Sequence, residues 1–98
     1  MATFISLVSW TDQGVRNYGD TTRRAAAFAA VIERLGGKQR DIYWTVGPYD
    51  IVVVLEAPDD ESATAALLQV SGVGNVRTVS MRAYSADEMD AIIAKAAG

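Results

Sequence analysis

Five consecutive apolar residues, Ile51-Val52-Val53-Val54-Leu55, stand between Asp50 and Glu56. Four of them are β-branched, and branched side chains favour extended backbone. A strand here points Ile51, Val53 and Leu55 to one face and Val52 and Val54 to the other. A sheet with one wet face alternates apolar with polar, and this strand does not. The run from Thr3 to Trp10 behaves the same way, with Ile5 and Leu7 opposing Phe4, Val8 and Trp10. Such strands call for a cover on both faces. Helices of the same chain supply one cover. A second copy is the simplest source of the other, because monomers rarely expose an apolar patch larger than a few hundred Å². A homodimer, or a higher assembly built from dimers, is therefore expected.

The remaining patterns set the element order. A helix over about 21–35 carries Ala25, Phe28, Val31, Ile32 and Leu35 on one stripe. Asp20 or Thr21 caps its start and Gly36-Gly37 ends it. A strand is expected over about 41–46. Gly47-Pro48-Tyr49-Asp50 then turns into the strand over 51–56, so the two read as a hairpin. Pro58-Asp59-Asp60 opens a second helix with Ala63, Ala66, Leu67 and Val70, which stops at Ser71-Gly72-Val73-Gly74. A fourth strand spans about 76–84. Ser85 followed three residues later by Glu88 is a capping-box pattern. It begins a last helix with Met89, Ile92, Ile93 and Ala96 on one face. Thr11-Asp12-Gln13-Gly14 reads as a capped polar turn, and the chain on to Gly19 as a loop or short helical turn. The order β-α-β-β-α-β plus a terminal helix predicts an α+β fold of ferredoxin-like type. At 98 residues the chain is expected to form one domain over 1–98.

Composition excludes several chemistries. There is no His and no Cys among the 98 residues, which removes disulfides, thiol nucleophiles, the usual zinc ligands and a proximal haem ligand. No cofactor and no metal are expected. Asp59-Asp60-Glu61 diverge around one helical turn and suit a helix start better than a hard cation. Gly72-Val73-Gly74 has Arg77 where a dinucleotide loop needs its third glycine. The net charge of -3 argues against nucleic acid, which needs clustered Lys and Arg. The one adjacent basic pair, Arg23-Arg24, reads as helix surface. No apolar run reaches the roughly 18–20 residues that span a membrane. Met1 to Trp10 lacks a signal-peptide pattern, so a cytoplasmic location is expected.

The stretch Tyr43-Trp44-Thr45-Val46-Gly47-Pro48-Tyr49-Asp50-Ile51-Val52-Val53 resembles the signature of the GYD domain family, named for Gly-x-Tyr-Asp. Ser9 to Gly14, Ile42-Tyr43-Trp44, Ala57 to Glu61 and Gly74 to Thr78 resemble that family too. The resemblance implies a dimeric α/β barrel, in which two ferredoxin-like sheets pack face to face. The same hairpin is similar to the ligand-sensing domain of Lrp/AsnC regulators, here without a helix-turn-helix module. The superfamily also holds cofactor-independent monooxygenases, isomerases and haem-degrading enzymes, and the fold does not choose among them.

Six residues are candidates for ligand binding: Trp10, Thr11, Tyr43, Tyr49, Asp50 and Arg77. Each also has a structural reading. Pro48 and Asp50 specify a turn, with the Asp50 carboxylate accepting backbone N–H bonds across it. Alternatively, Tyr49 and Asp50 form the rim of an interface pocket. Trp10, Tyr43 and Trp44 pack in core or interface, or line an aromatic cavity for a planar ligand. Thr11 caps a turn. Arg77 and Arg82 have opposite parity on one strand, so at most one faces any given cavity; an Arg there could clamp a carboxylate or simply pair with Glu56 or Asp50. Two functions follow: a small-molecule-binding or assembly module, or a cofactor-independent enzyme with a cavity between sheet and helices. In an enzyme, acid/base work would fall to Asp50, Glu56, Tyr43 or Tyr49.

Overall fold

The computed structural model describes residues 1–98. Four strands, β1 (Ala2–Trp10), β2 (Lys38–Trp44), β3 (Ile51–Ala57) and β4 (Val76–Ala83), form one antiparallel sheet in the order β2-β3-β1-β4. Helix α1 (Asp12–Arg16) and a 3₁₀ turn (Tyr18–Asp20) follow β1 and lead into α2 (Thr21–Arg34). Helix α3 (Asp60–Gly72) joins β3 to β4, and α4 (Ala86–Ala97) closes the chain. The β-α-β-β-α-β order with this strand arrangement is the ferredoxin-like α+β fold.

Period-2 geometry divides the sheet residues between its faces. Phe4, Ser6 and Val8 of β1 lie opposite Leu55, Val53 and Ile51 of β3 on the face that α2 and α3 cover. Phe28 and Ile32 from α2, and Ala63 and Ala66 from α3, close the core over them. Leu55 is fully buried, and the equally buried Ser6 hydroxyl shares a 2.7 Å hydrogen bond with Ser80. Thin alanine faces on α3 let that helix approach the sheet closely.

The opposite face has no helix on it. Register places Tyr43, Val52, Leu7 and Val79 in one row across the four strands, and Asp41, Val54, Ile5 and Met81 in the next. Tyr43, Val79 and Met81 are 62%, 51% and 45% exposed. Helix α4 is likewise unpartnered. It starts with a complete Ser85–Glu88 capping box, yet it buries none of its residues, and Met89 and Ile93 stand in solvent. The chain extends 52 × 30 × 18 Å as a result.

Several boundaries differ from the sequence reading. Strand β2 begins at Lys38, three residues before the expected start, and ends at Trp44. Its early portion is polar, and it pairs with β3 through a bulge between Gln39 and Asp41. Arg40 at that bulge donates to Glu56 at 3.0 Å. The expected turn after Thr11 is a short helix. Asp20 occupies the cap position of α2 without bonding its backbone, and its carboxylate instead pairs with Arg23. No helix is long and apolar enough to cross a membrane.

Candidate functional site

Three segments meet at one end of the sheet, where β1 stops and where β3 and β4 begin. Thr11 is the hinge of this meeting. Its Oγ1 accepts the Gly14 N–H at 3.1 Å, capping α1, and donates to the Gly74 carbonyl at 2.6 Å. The Thr11 N–H donates to the Asn75 carbonyl at 3.0 Å. Gln13 adds bonds from Nε2 to the Val73 carbonyl at 3.2 Å and to Asn75 Oδ1 at 3.0 Å. Gly14 must be a glycine for this contact, because a Cβ there would lie 1.9 Å from the Asn75 carbonyl oxygen. Gly74 takes φ +94°, in the left-handed region open to glycine.

Asp50 ties in the third segment. Its Oδ2 accepts the Trp10 backbone N–H at 2.8 Å, and its own N–H donates to the Val8 carbonyl at 2.9 Å. The donors expected for this carboxylate lie within its own turn; it bonds the end of β1 instead. Within the turn, Thr45 closes the loop: its N–H donates to the Asp50 carbonyl at 2.8 Å and its hydroxyl to the Tyr49 carbonyl at 2.6 Å.

Behind this clasp, between the sheet and helices α2 and α3, lies a cavity of about 50 Å³. Its walls are mostly apolar, with Val8, Phe28, Ile51 and Val53 among them, and Trp10 and Arg24 also line it. A groove of about 200 Å³ between α2 and α3 shares Arg24, Phe28, Val70 and Val76 with the cavity, so the two spaces adjoin. The Trp10 indole Nε1 is buried and has no hydrogen-bond partner. Arg24 donates to the Asn17 carbonyl at 2.7 Å and to the Gly14 carbonyl at 3.2 Å, and forms no ion pair.

The structure thus separates the six candidates. Trp10, Thr11 and Asp50 come together at the clasp, and Tyr49 adjoins it through its carbonyl. Tyr43 lies on the open face, so the expected grouping of Trp10, Tyr43 and Trp44 around one cavity does not form: adjacent strand residues point to opposite faces. Trp44 is on the helix side, with its Nε1 donating to Thr21 Oγ1 at 2.9 Å. Arg77 is exposed opposite Ser9 on the open face and makes no ion pair; Glu56 takes Arg40 instead. Arg82 stacks over Tyr84 at 4.6 Å and Phe4 at 5.5 Å. Asp59 caps α3 by accepting the Ser62 N–H at 2.7 Å. Arg24, expected on the helix surface, lines the cavity instead. The available signal was its place one turn before Phe28, in line with the apolar stripe.

The family profile described as GYD domain matches residues 4–93. A Thermus thermophilus protein named glutamine synthetase and cystathionine beta-lyase binding protein is 33% identical over 84 residues, which is 85% of this chain and 88% of that one. The crystal structure of TTHA0845, also from Thermus thermophilus, superposes with a TM-score of 0.57 at 24% identity, over 88% of this chain and 96% of that one. The structural likeness speaks for the fold.

Proposed function

This chain belongs to the GYD domain family, and we propose from that premise that it is an assembly module that pairs with itself and docks on another protein. The observation that carries the reading is the uncovered sheet face, where two register rows put Val52, Leu7, Val79, Val54, Ile5 and Met81 side by side. Burying such a surface contributes about 25 cal/mol per Å². A second copy has the complementary surface by symmetry and produces a two-fold interface. The uncovered stripe of α4 adds to what a second copy can bury.

The Thermus relative's name states that it binds two enzymes. Carried to this chain, that suggests a metabolic enzyme as the protein partner, in the cytoplasmic setting expected from the sequence, with no role for nucleic acid or a membrane. Light scattering at micromolar concentration tests the self-pairing. The expected mass is that of a dimer or a multiple of it, and a monomer of unchanged fold overturns the reading. Mixing with purified glutamine synthetase and with cystathionine beta-lyase tests the partner class by co-elution.

A second reading, small-molecule binding, is favoured by the cavity beside Trp10. Catalysis there has less support. None of Asp50, Glu56, Tyr43 and Tyr49 lines the cavity. The Asp50 carboxylate is committed to the Trp10 amide, and Glu56 to Arg40.

A further inference from the structure

We infer that α4 is an exchanged arm: it lies on a second copy of the chain, with its acidic start against that copy's Arg77. This rests on the self-pairing reading and names where the arm goes. Helices shorter than about 12–15 residues are marginal in water without a surface to pack on. Helix α4 has 12 residues, buries none of them, and leaves Met89 and Ile93 in solvent. Its exit from the sheet is braced. Arg82 donates to the Thr3 carbonyl at 3.1 Å and the Ala83 carbonyl at 2.7 Å and stacks over Tyr84, and the Ser85–Glu88 box fixes the first turn. A helix held away from its own core by such a joint takes its cover from outside.

A second copy fits by area. With strands about 4.8 Å apart and same-face rows about 6.7 Å apart, the rows from Ser9 to Thr3 give the open face a footprint of about 500 Å². Specific interfaces bury about 800 Å² per partner. The α4 stripe, about 18 Å long and about 10 Å wide, adds about 180 Å² and covers as much again on the receiving copy. Exchange of both arms closes the gap.

A second copy also fits by charge. When two sheets face each other in alignment, their two-fold axis runs along the strands or across them. An axis along the strands sets Asp41 of one copy on Met81 of the other, a buried carboxylate without a donor. An axis across them lays each apolar row on the other, and Asp41 meets the Tyr43 hydroxyl, which can donate. The end rows exchange as well, so Arg77 of one copy meets Ala83 of the other, at the root of α4. Arg77 is exposed and forms no ion pair, and the incoming α4 carries Asp87 and Asp90 on one flank of its stripe.

The test uses the full chain, which has no cysteine of its own. Arg77→Cys with Asp87→Cys, treated with a short bismaleimide, should give a covalent dimer on a denaturing gel. Arg77 and Ala83 lie about 20 Å apart along β4 and α4 leads away from there, so the reagent does not bridge one chain. Lys38→Cys with Asp87→Cys, the pair that an axis along the strands would join, should not crosslink. In a dilution series read by mass, Ile93→Lys should raise the dimer dissociation constant at least about tenfold, with far-ultraviolet circular dichroism unchanged. Arg77→Glu should raise it about tenfold, because the two-fold makes the contact twice, and adding Asp87→Lys and Asp90→Lys should recover most of that. A dimeric wild type that ignores Ile93→Lys and gives no Arg77–Asp87 crosslink overturns the exchanged arm and leaves sheet pairing standing. A crosslink through Lys38 instead overturns the Arg77 contact. A wild type that is monomeric at every concentration refutes self-pairing, and the arm with it.

Discussion

Replacing Asp50 with alanine removes the one side-chain acceptor that joins the hairpin to the end of β1. The Trp10 N–H sits 2.8 Å from Oδ2, a charge-assisted bond in a half-buried setting. A buried donor left without an acceptor costs about 1–3 kcal/mol. Water reaches a half-buried amide, so the lower part of that range applies, about 1–2 kcal/mol. The neighbouring bonds from Asp50 N–H to Val8 and from Thr45 N–H to Asp50 are backbone bonds and survive the change. Each kcal/mol moves the midpoint of a domain this size by about 4–8 °C, so the melt should fall by roughly 5–15 °C. Circular dichroism at one fixed protein concentration compares the two chains under the same mass action. Asp50→Asn keeps an oxygen acceptor and should recover part of the loss. Hydrogen exchange at the Trp10 amide should quicken in the alanine variant. An Asp50→Ala chain that melts with wild type and protects Trp10 equally would refute the clasp as a source of stability.

Val54→Asp puts a charge in the centre of the open face, and light scattering should show dissociation or unfolding, because an unpaired charge at a buried interface is costly. Gly14→Ala should destabilise by about 1–3 kcal/mol in urea melts, as its methyl meets the Asn75 carbonyl. Gly72→Ala, with nothing within 4 Å of its Cβ position, should be neutral or stabilise by about 0.4–1 kcal/mol. Hydrogen bonds from Ser62 hold the Asp59 carboxyl below its ordinary range, and those from Ser85, its backbone N–H foremost, do the same for Glu88. Carboxyls lowered in the folded state favour folding above their unfolded values. That contribution is lost as pH falls through the lowered folded values, so urea midpoints should drop on the acid side and drop less in Ser85→Ala.

Local signals were legible in the sequence because their causes are local. The β-branched run of β3, the stripe of α2 and the Ser85–Glu88 cap all follow from spacing within a few residues. The start of β2 was hidden, since Lys38, Gln39 and Arg40 have no strand pattern and extend only because β3 offers them partners. Helix α1 is five residues long and depends on bonds to Gly74 and Asn75, some sixty residues away in the chain. Asp50 was identified as an acceptor, but its donor lies 40 residues earlier, beyond the reach of turn rules. The site suffered most from parity. Tyr43 and Trp44 are neighbours in sequence and belong to opposite faces, and only register assigns the cavity to Trp10 rather than to Tyr43.

The stand-off of α4 makes the chain long for its mass. A compact protein of this length has a radius of gyration of about 12.6 Å, whereas this one measures 14.7 Å. A compact pair of such chains would reach only about 16 Å. If pairing folds the two terminal helices inward, doubling the mass barely enlarges the particle. Elution volume, which reports size, would then place monomer and dimer almost together, and only a measurement of mass tells them apart.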